Sequence, residues 1–155
     1  GCVFSPTGLH IRLPGVTGDL RYDGRTPLRS DIMGPFAHLP MQCRHGVVSM
    51  GHTVHGRVTV DGQTHVFGGG SGYAEKDSGR SFPKSYLWLQ CNDFTPPCAL
   101  MLSIAHIPFL GGAFTGSMTE TIRESCDAHV HLRLTQAGRT ILVCESDRAA
   151  CERRI

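Results

Sequence analysis

The chain has 155 residues, 40% of them hydrophobic and 18% charged, which fits one globular domain and excludes a disordered chain. Its formal net charge is +2, and the basic residues form no cluster, so nucleic acid is not expected as a partner. Nineteen glycines and nine prolines are typical of short strands joined by tight turns.

The first half of the chain predicts strands and one hairpin. Gly8–Leu20 is expected to supply one or two strands. The alternating runs His52–Val60 and Gln63–Phe67 flank Asp61-Gly62, a pair that favours a hairpin turn because both central residues need positive φ. The run Gly68–Gly72 is interpreted as a flexible loop, since no helix and no phosphate-binding Lys-Ser/Thr pair follows it.

The second half continues the same pattern. Ser85–Cys91 reads as a strand, and Cys98–Ala105 as a continuous apolar strand that is broken at Pro108 and at the glycine pair 111–112. A last hairpin is predicted between His129–Thr135 and Arg139–Cys144. Three arginines close the chain, Arg148, Arg153 and Arg154, and are interpreted as a frayed, solvated terminus.

Short antiparallel strands at this spacing predict an all-β sandwich or barrel. A closed barrel removes exposed strand edges and encloses room for one small ligand. No linker-like composition shift and no repeat interrupts the chain. Residues 1–155 are therefore expected to form a single barrel-like domain.

The cysteines are candidates for disulfide bonds, and the cysteines and histidines are candidates for metal ligands. Seven cysteines without a regular spacing indicate free thiols in a reducing compartment. Residues 1–6 lack a signal-peptide pattern, so a cytoplasmic protein is expected. Pairs such as Cys43-x-His45 and His129-x-His131 lie within ligand reach, but no Cys-x-x-Cys pair occurs, and no metal site is predicted.

The unusual segment is Gly72–Pro83, which places Glu75, Lys76, Asp77 and Arg80 within six positions. Glu75 and Asp77 are two residues apart and share one side of an extended chain. Neighbouring carboxylates repel, so the pKa of one of the two is expected to rise. The alternative interpretation is an ordinary salt-bridged loop.

Three blocks of sequence resemble the tocopherol cyclase family. The first is Gly72–Pro83 with the aromatic strand that follows, Tyr86-Leu87-Trp88-Leu89-Gln90-Cys91-Asn92-Asp93-Phe94. The others are Ile32–Met50, which contains Met-Gly-Pro-Phe and Cys-Arg-His-Gly, and Ser103–Pro108, which reads Ser-Ile-Ala-His-Ile-Pro. The chain departs from the family pattern at Gln42 (usually Glu) and at Ser78 (usually Trp).

The resemblance implies a lipocalin-like fold and a cofactor-free cyclase. Family enzymes protonate a trisubstituted alkene in the tail of a prenylated hydroquinone, and the phenol oxygen then captures the tertiary cation to close a chroman ring. Such chemistry needs a protonated acid, aromatic faces that stabilise the cation and exclusion of water. Family members are longer and contain two barrels, so this chain is interpreted as a shortened member or part of one.

The residues present offer candidates for each role. Asp77 is the first choice for the acid and Glu75 the second. Lys76 and Arg80 are expected to position the quinol oxygens or to hold the second carboxylate ionised. The remaining candidates for substrate binding are Tyr73, Phe82, Tyr86, Trp88, Gln90, His45 and His38.

Several functions stay open on sequence alone. The chain can instead be a non-catalytic carrier of a lipid or prenylated quinone, which needs only an apolar cavity. A hydratase that adds water to the alkene would use the same acid. The expected partner is an apolar small molecule, and peripheral membrane contact and a homodimer are both compatible with that ligand.

Overall fold

A computed structural model describes residues 1–107 and 123–154. Within them, nine strands form two sheets, with strand orders β1-β2-β3-β4-β5 and β7-β6-β9-β8. A short 3-10 helix, Gly34–His38, precedes β4. The strands are β1 (Val3–Ser5), β2 (Gly8–Leu13), β3 (Val16–Asp23), β4 (Cys43–Val60), β5 (Gln63–Gly79), β6 (Tyr86–Cys91), β7 (Leu100–Ala105), β8 (Arg123–Gln136) and β9 (Arg139–Arg154).

The predicted all-β, antiparallel fold class is confirmed, and the strands are divided between two sheets. Both predicted hairpins are present. Asp61 and Gly62 adopt φ values of 46° and 84° between β4 and β5, as the sequence predicts for this turn. Ala137 and Gly138, at 48° and 77°, turn β8 into β9.

One element in the first half of the chain differs from the sequence prediction. Gly68–Gly72 is not a loop but the middle of β5. A Cβ at Gly72 would lie 2.7 Å from Val54 Cγ2, so glycine serves here for close approach between paired strands. The predicted strand break at Pro108 and residues 111–112 lies outside the described residues.

The end of the chain is also more ordered than predicted. Strand β9 continues through Arg148 and Arg153 to Arg154 and pairs with β6, so these arginines are not a frayed terminus. The reason is apolar burial along the same strand: Ala149 is fully buried.

No helix within the described residues has the length and hydropathy of a transmembrane span.

The described chain divides into two compact units. The first comprises Gly1–Pro27 with Ser49–Ala74, and the second comprises Leu28–Val48 with Glu75–Ile155. The second unit has its own core, formed by Cys91, Phe94, Cys144 and Ala149. This core packs the end of β6 against β9.

The Ala137 turn offers a test of the β8–β9 hairpin. An L-residue other than Asn, Asp or Gly is strained at positive φ, and Asn-Gly is the preferred pair for this turn. Ala137→Asn is therefore expected to raise the free energy of unfolding by about 1 kcal/mol, measured by urea denaturation. Ala137→Val serves as the opposite control and should destabilise the protein; equal stability of both variants would contradict the turn geometry.

Candidate active site

A cavity of about 150 Å³ lies within the second unit. Strands β4 and β5 supply its ionisable side, and β6, β7 and β9 supply most of the remainder. A volume of this size holds a single six-membered aromatic ring. The lining residues are Cys43, His45, Glu75, Asp77, Phe82, Pro83, Tyr86, Trp88, Ser103, Ala105, Ile107 and Glu152.

His45 lies between the two carboxylates that the sequence singled out. Its Nδ1 is 2.7 Å from Asp77 Oδ1, and its Nε2 is 3.3 Å from Glu75 Oε2. Glu75 and Asp77 are two residues apart on β5 and therefore share a face of the strand. The Nε2 contact lacks the alignment of a directed hydrogen bond, so the attraction to Glu75 is mainly electrostatic. The three side chains form an Asp–His–Glu cluster at one wall of the cavity.

The backbone fixes this cluster in register. Just beyond the end of β5, the Arg80 N–H donates to the carbonyl oxygen of Gln42 at 2.8 Å. A Cβ at Gly79 would lie 2.1 Å from the same oxygen, so glycine is required for this approach. The contact uses only the backbone of Gln42, so the identity of the side chain at this position does not affect it.

Electrostatics favour a charged imidazole in the cluster. Contact with the Glu75 carboxylate raises the pKa of His45 above its ordinary 6.5, burial opposes this, and contact with Asp77 raises it further. Only 14% of the His45 side chain is exposed. The pKa of the Cys43 thiol is raised by burial and by the charge of Asp77, which keeps that neighbour neutral.

A second pair of polar contacts comes from β6 and β9. Trp88 Nε1 donates to Glu75 Oε2 at 3.0 Å, and the Tyr86 hydroxyl donates to Glu152 Oε1. Trp88 and Glu152 are direct partners in the β6–β9 ladder, and both line the cavity. The aromatic strand predicted from sequence thus carries hydrogen-bond donors as well as ring faces.

The other predicted residues take different positions. His45, Phe82, Tyr86 and Trp88 line the cavity with Glu75 and Asp77. Lys76 is exposed, and its side chain lies 3.8 Å from where a Gly46 Cβ would be. The remaining candidates are outside the cavity lining: Arg80 and His38 are exposed, Gln90 is half-buried on β6, and Tyr73 belongs to the first unit.

Sequence reasoning missed the acidic wall residue Glu152 and the thiol of Cys43. Glu152 is the one that bears a carboxylate. It lies between Arg148 and Arg153, two of the three arginines that the sequence analysis interprets as a solvated terminus. The available signal is the small apolar run of two alanines and Cys151 before it, which is compatible with a buried strand. Among the described residues, no group of three or more His, Cys, Asp or Glu side chains is arranged to hold a metal ion.

An apolar groove of about 650 Å³ adjoins the cavity. The two share His45, Ser103, Ala105 and Ile107 as a common wall. The groove is open to solvent and lies in the same unit as the cavity. Its other lining residues are Ile32, Met33, Phe36, Met41, Met101 and Leu102.

The raised pKa of His45 gives a pH-dependent stability. A raised pKa means that the folded state gains stability while His45 is protonated, below about pH 6.5, and loses it as the pH rises through the folded-state pKa. Wild type is therefore expected to exceed His45→Gln in free energy of unfolding by more at pH 6 than at pH 9. The test is urea denaturation of wild type and His45→Gln at each of these two pH values.

His129→Gln is the matched control for that experiment. His129 pairs with Asp147 at 2.6 Å, but 61% of its side chain is exposed, so solvent screens the pair. Its removal should change stability little at either pH. A pH-independent difference between wild type and His45→Gln would contradict a charged imidazole in the cluster.

Comparison with known proteins agrees with the sequence blocks. The profile of the tocopherol cyclase-like family matches residues 24–106, more than half of the chain. No curated protein and no solved structure matches it. The matched range covers β4 to β7 and includes the Asp–His–Glu cluster with Trp88. The chain therefore belongs to the tocopherol cyclase-like family.

Proposed function

We propose that this chain catalyses acid-promoted cyclisation of a prenylated hydroquinone to a chromanol. The observation that carries the proposal is the Asp–His–Glu cluster inside a cavity lined by aromatic side chains. An alkene is a weak base, so the catalyst must present a proton donor where water cannot compete for the resulting cation.

Asp77 is the proposed proton donor. A protonated His45 between two carboxylates leaves one negative charge in excess, and an apolar ligand that displaces water makes such a charge costly. Uptake of one proton removes the excess. Glu75 accepts a hydrogen bond from Trp88 Nε1 and lies 3.3 Å from His45 Nε2. Both contacts favour its charged form, so the proton is assigned to Asp77. With that proton on Oδ2, Oδ1 still accepts from His45 Nδ1.

The aromatic wall supplies the second requirement. Protonation creates a tertiary carbocation, which the faces of Phe82, Tyr86 and Trp88 can stabilise as they would any cation. All three line the same small cavity as Asp77. The cation is thereby generated next to rings that stabilise it.

The size and polarity of the cavity and of the groove suggest which part of the substrate each would bind. The cavity has room for one ring, whereas the adjoining groove is larger and mainly apolar. The hydroquinone head is therefore placed in the cavity, and the tail beyond the reacting alkene in the groove. His45, Ser103, Ala105 and Ile107 line both spaces, which supports binding of the reacting alkene near the cluster.

The test is incubation with a prenylated hydroquinone in D₂O, followed by mass spectrometry. Cyclisation gives a chromanol that is isomeric with the substrate and carries one deuterium on carbon. A hydratase would give a tertiary alcohol heavier by one water, and a carrier would return bound, unlabelled hydroquinone. Either of these two results would overturn the proposal.

A further inference from the structure

We infer that Glu152, held by the Tyr86 hydroxyl, accepts the phenol proton during ring closure. This inference rests on the proposed function. Protonation of the alkene is only half of the reaction, because the attacking phenol oxygen becomes positively charged until its proton leaves. A second group in the cavity must take that proton.

Position selects Glu152 for this role. Its carboxylate lines the same cavity as Asp77 but projects from β9, whereas Asp77 projects from β5. Trp88 connects the two sides, since it is the ladder partner of Glu152 and donates to Glu75. The proton donor Asp77 and the proton acceptor Glu152 are thus on different strands that line the same cavity.

Charge also favours Glu152 over Glu75. Glu75 lies beside the His45 imidazole, so its charge is compensated by a cation. Among the side chains that the structure describes, the partner of Glu152 is the neutral Tyr86 hydroxyl, which donates to Oε1. That hydrogen bond orients the carboxylate and allows Oε2 to receive a proton from an incoming hydroxyl.

The proton balance closes over one turnover. Asp77 gives a proton to the alkene, forming a C–H bond and a tertiary cation. The phenol oxygen forms the C–O bond, its O–H bond breaks, and the proton passes to Glu152. Product release returns water to the cavity, through which Glu152 loses its proton and Asp77 regains one. Substrate and product are isomers, so no oxidant or co-reactant is required.

The experiment compares Glu152→Gln with wild type in D₂O. Glutamine keeps an oxygen to accept from Tyr86 but cannot take a proton. The chromanol fraction of the deuterated products is expected to fall by about 10²-fold. Deuterium should still enter the tail, with the products shifted to uncyclised tertiary alcohol and rearranged alkene.

Two further variants separate chemistry from folding. Glu145 lies on the same strand as Glu152, and 62% of its side chain is exposed. The variant Glu145→Gln should therefore give the same products as wild type. Tyr86→Phe keeps the ring but frees the carboxylate, and should lower the chromanol fraction less than Glu152→Gln does. If Glu152→Gln does not fold, Tyr86→Phe alone decides: a wild-type chromanol fraction overturns the inference.

Failure of the two proposals can be told apart. Absence of deuterium in the tail with wild-type protein overturns the proposed function itself. Deuterium incorporation with an unchanged product ratio in Glu152→Gln overturns only the role of Glu152. An equal loss of labelling and closure in that variant also overturns it, because a proton acceptor acts after the alkene is protonated.

Discussion

Replacing Asp77 with asparagine is expected to slow ring closure by about 10²- to 10⁴-fold, the usual contribution of a general acid. Asparagine keeps the size of the side chain and an oxygen that accepts from His45, so the cavity should keep its shape. Binding of the hydroquinone should therefore change little. Turnover by mass spectrometry and binding by fluorescence of Trp88, the one tryptophan, measure the two effects separately.

Asp147→Asn is the matched control for Asp77→Asn. Asp147 contacts His129 Nδ1 at 2.6 Å, a His–Asp pair of similar geometry in the same unit, but it is largely exposed and lies outside the cavity lining. Turnover of this variant should equal that of wild type. Full activity in Asp77→Asn would remove Asp77 as the acid and leave Glu75 as the remaining candidate on β5.

Replacing Phe94 with alanine is expected to cost about 3–5 kcal/mol in free energy of unfolding. Phe94 is only 5% exposed and packs with Cys91, Cys144 and Ala149, where truncation leaves a void. A loss of this size is a large part of the total stability of a small protein. Because the same core packs β6 against β9, activity should fall together with stability.

Phe82→Ala is the control for the loss of stability expected in Phe94→Ala. Phe82 is 65% exposed, so its truncation should change the free energy of unfolding by no more than about 0.5 kcal/mol, although it removes one face of the aromatic wall. Urea denaturation of both variants checks the contrast. A loss below about 1 kcal/mol in Phe94→Ala would mean that the core can collapse around the missing ring.

Local rules were sufficient for the elements that depend on near neighbours. The Asp61-Gly62 turn follows from backbone sterics alone, and the shared face of Glu75 and Asp77 follows from the two-residue period of a strand. The same period places Lys76, between them, on the opposite face. The strand geometry thus explains why Lys76 is absent from the cavity lining.

Features that depend on partners distant in sequence could not be predicted in the same way. The sequence of Gly68–Gly72 is typical of a loop, and only the pairing of β5 with β4 makes it a strand. The arginines around Glu152 indicate a solvated terminus, and only the pairing of β9 with β6 places Glu152 in the cavity wall. His45 is one of nine histidines, and only the fold places it between two carboxylates separated from it by about thirty positions along the chain.

The order of strands in the second sheet has a consequence for how the cavity forms. Strand β9 lies between β6 and β8, so Tyr86 meets Glu152 only after a segment of more than sixty residues has been brought back to its partner. Such high contact order slows folding. During synthesis, the cavity is complete only after β9 has been made and has paired with β6, so ligand binding in the cavity should appear as a late kinetic phase of folding.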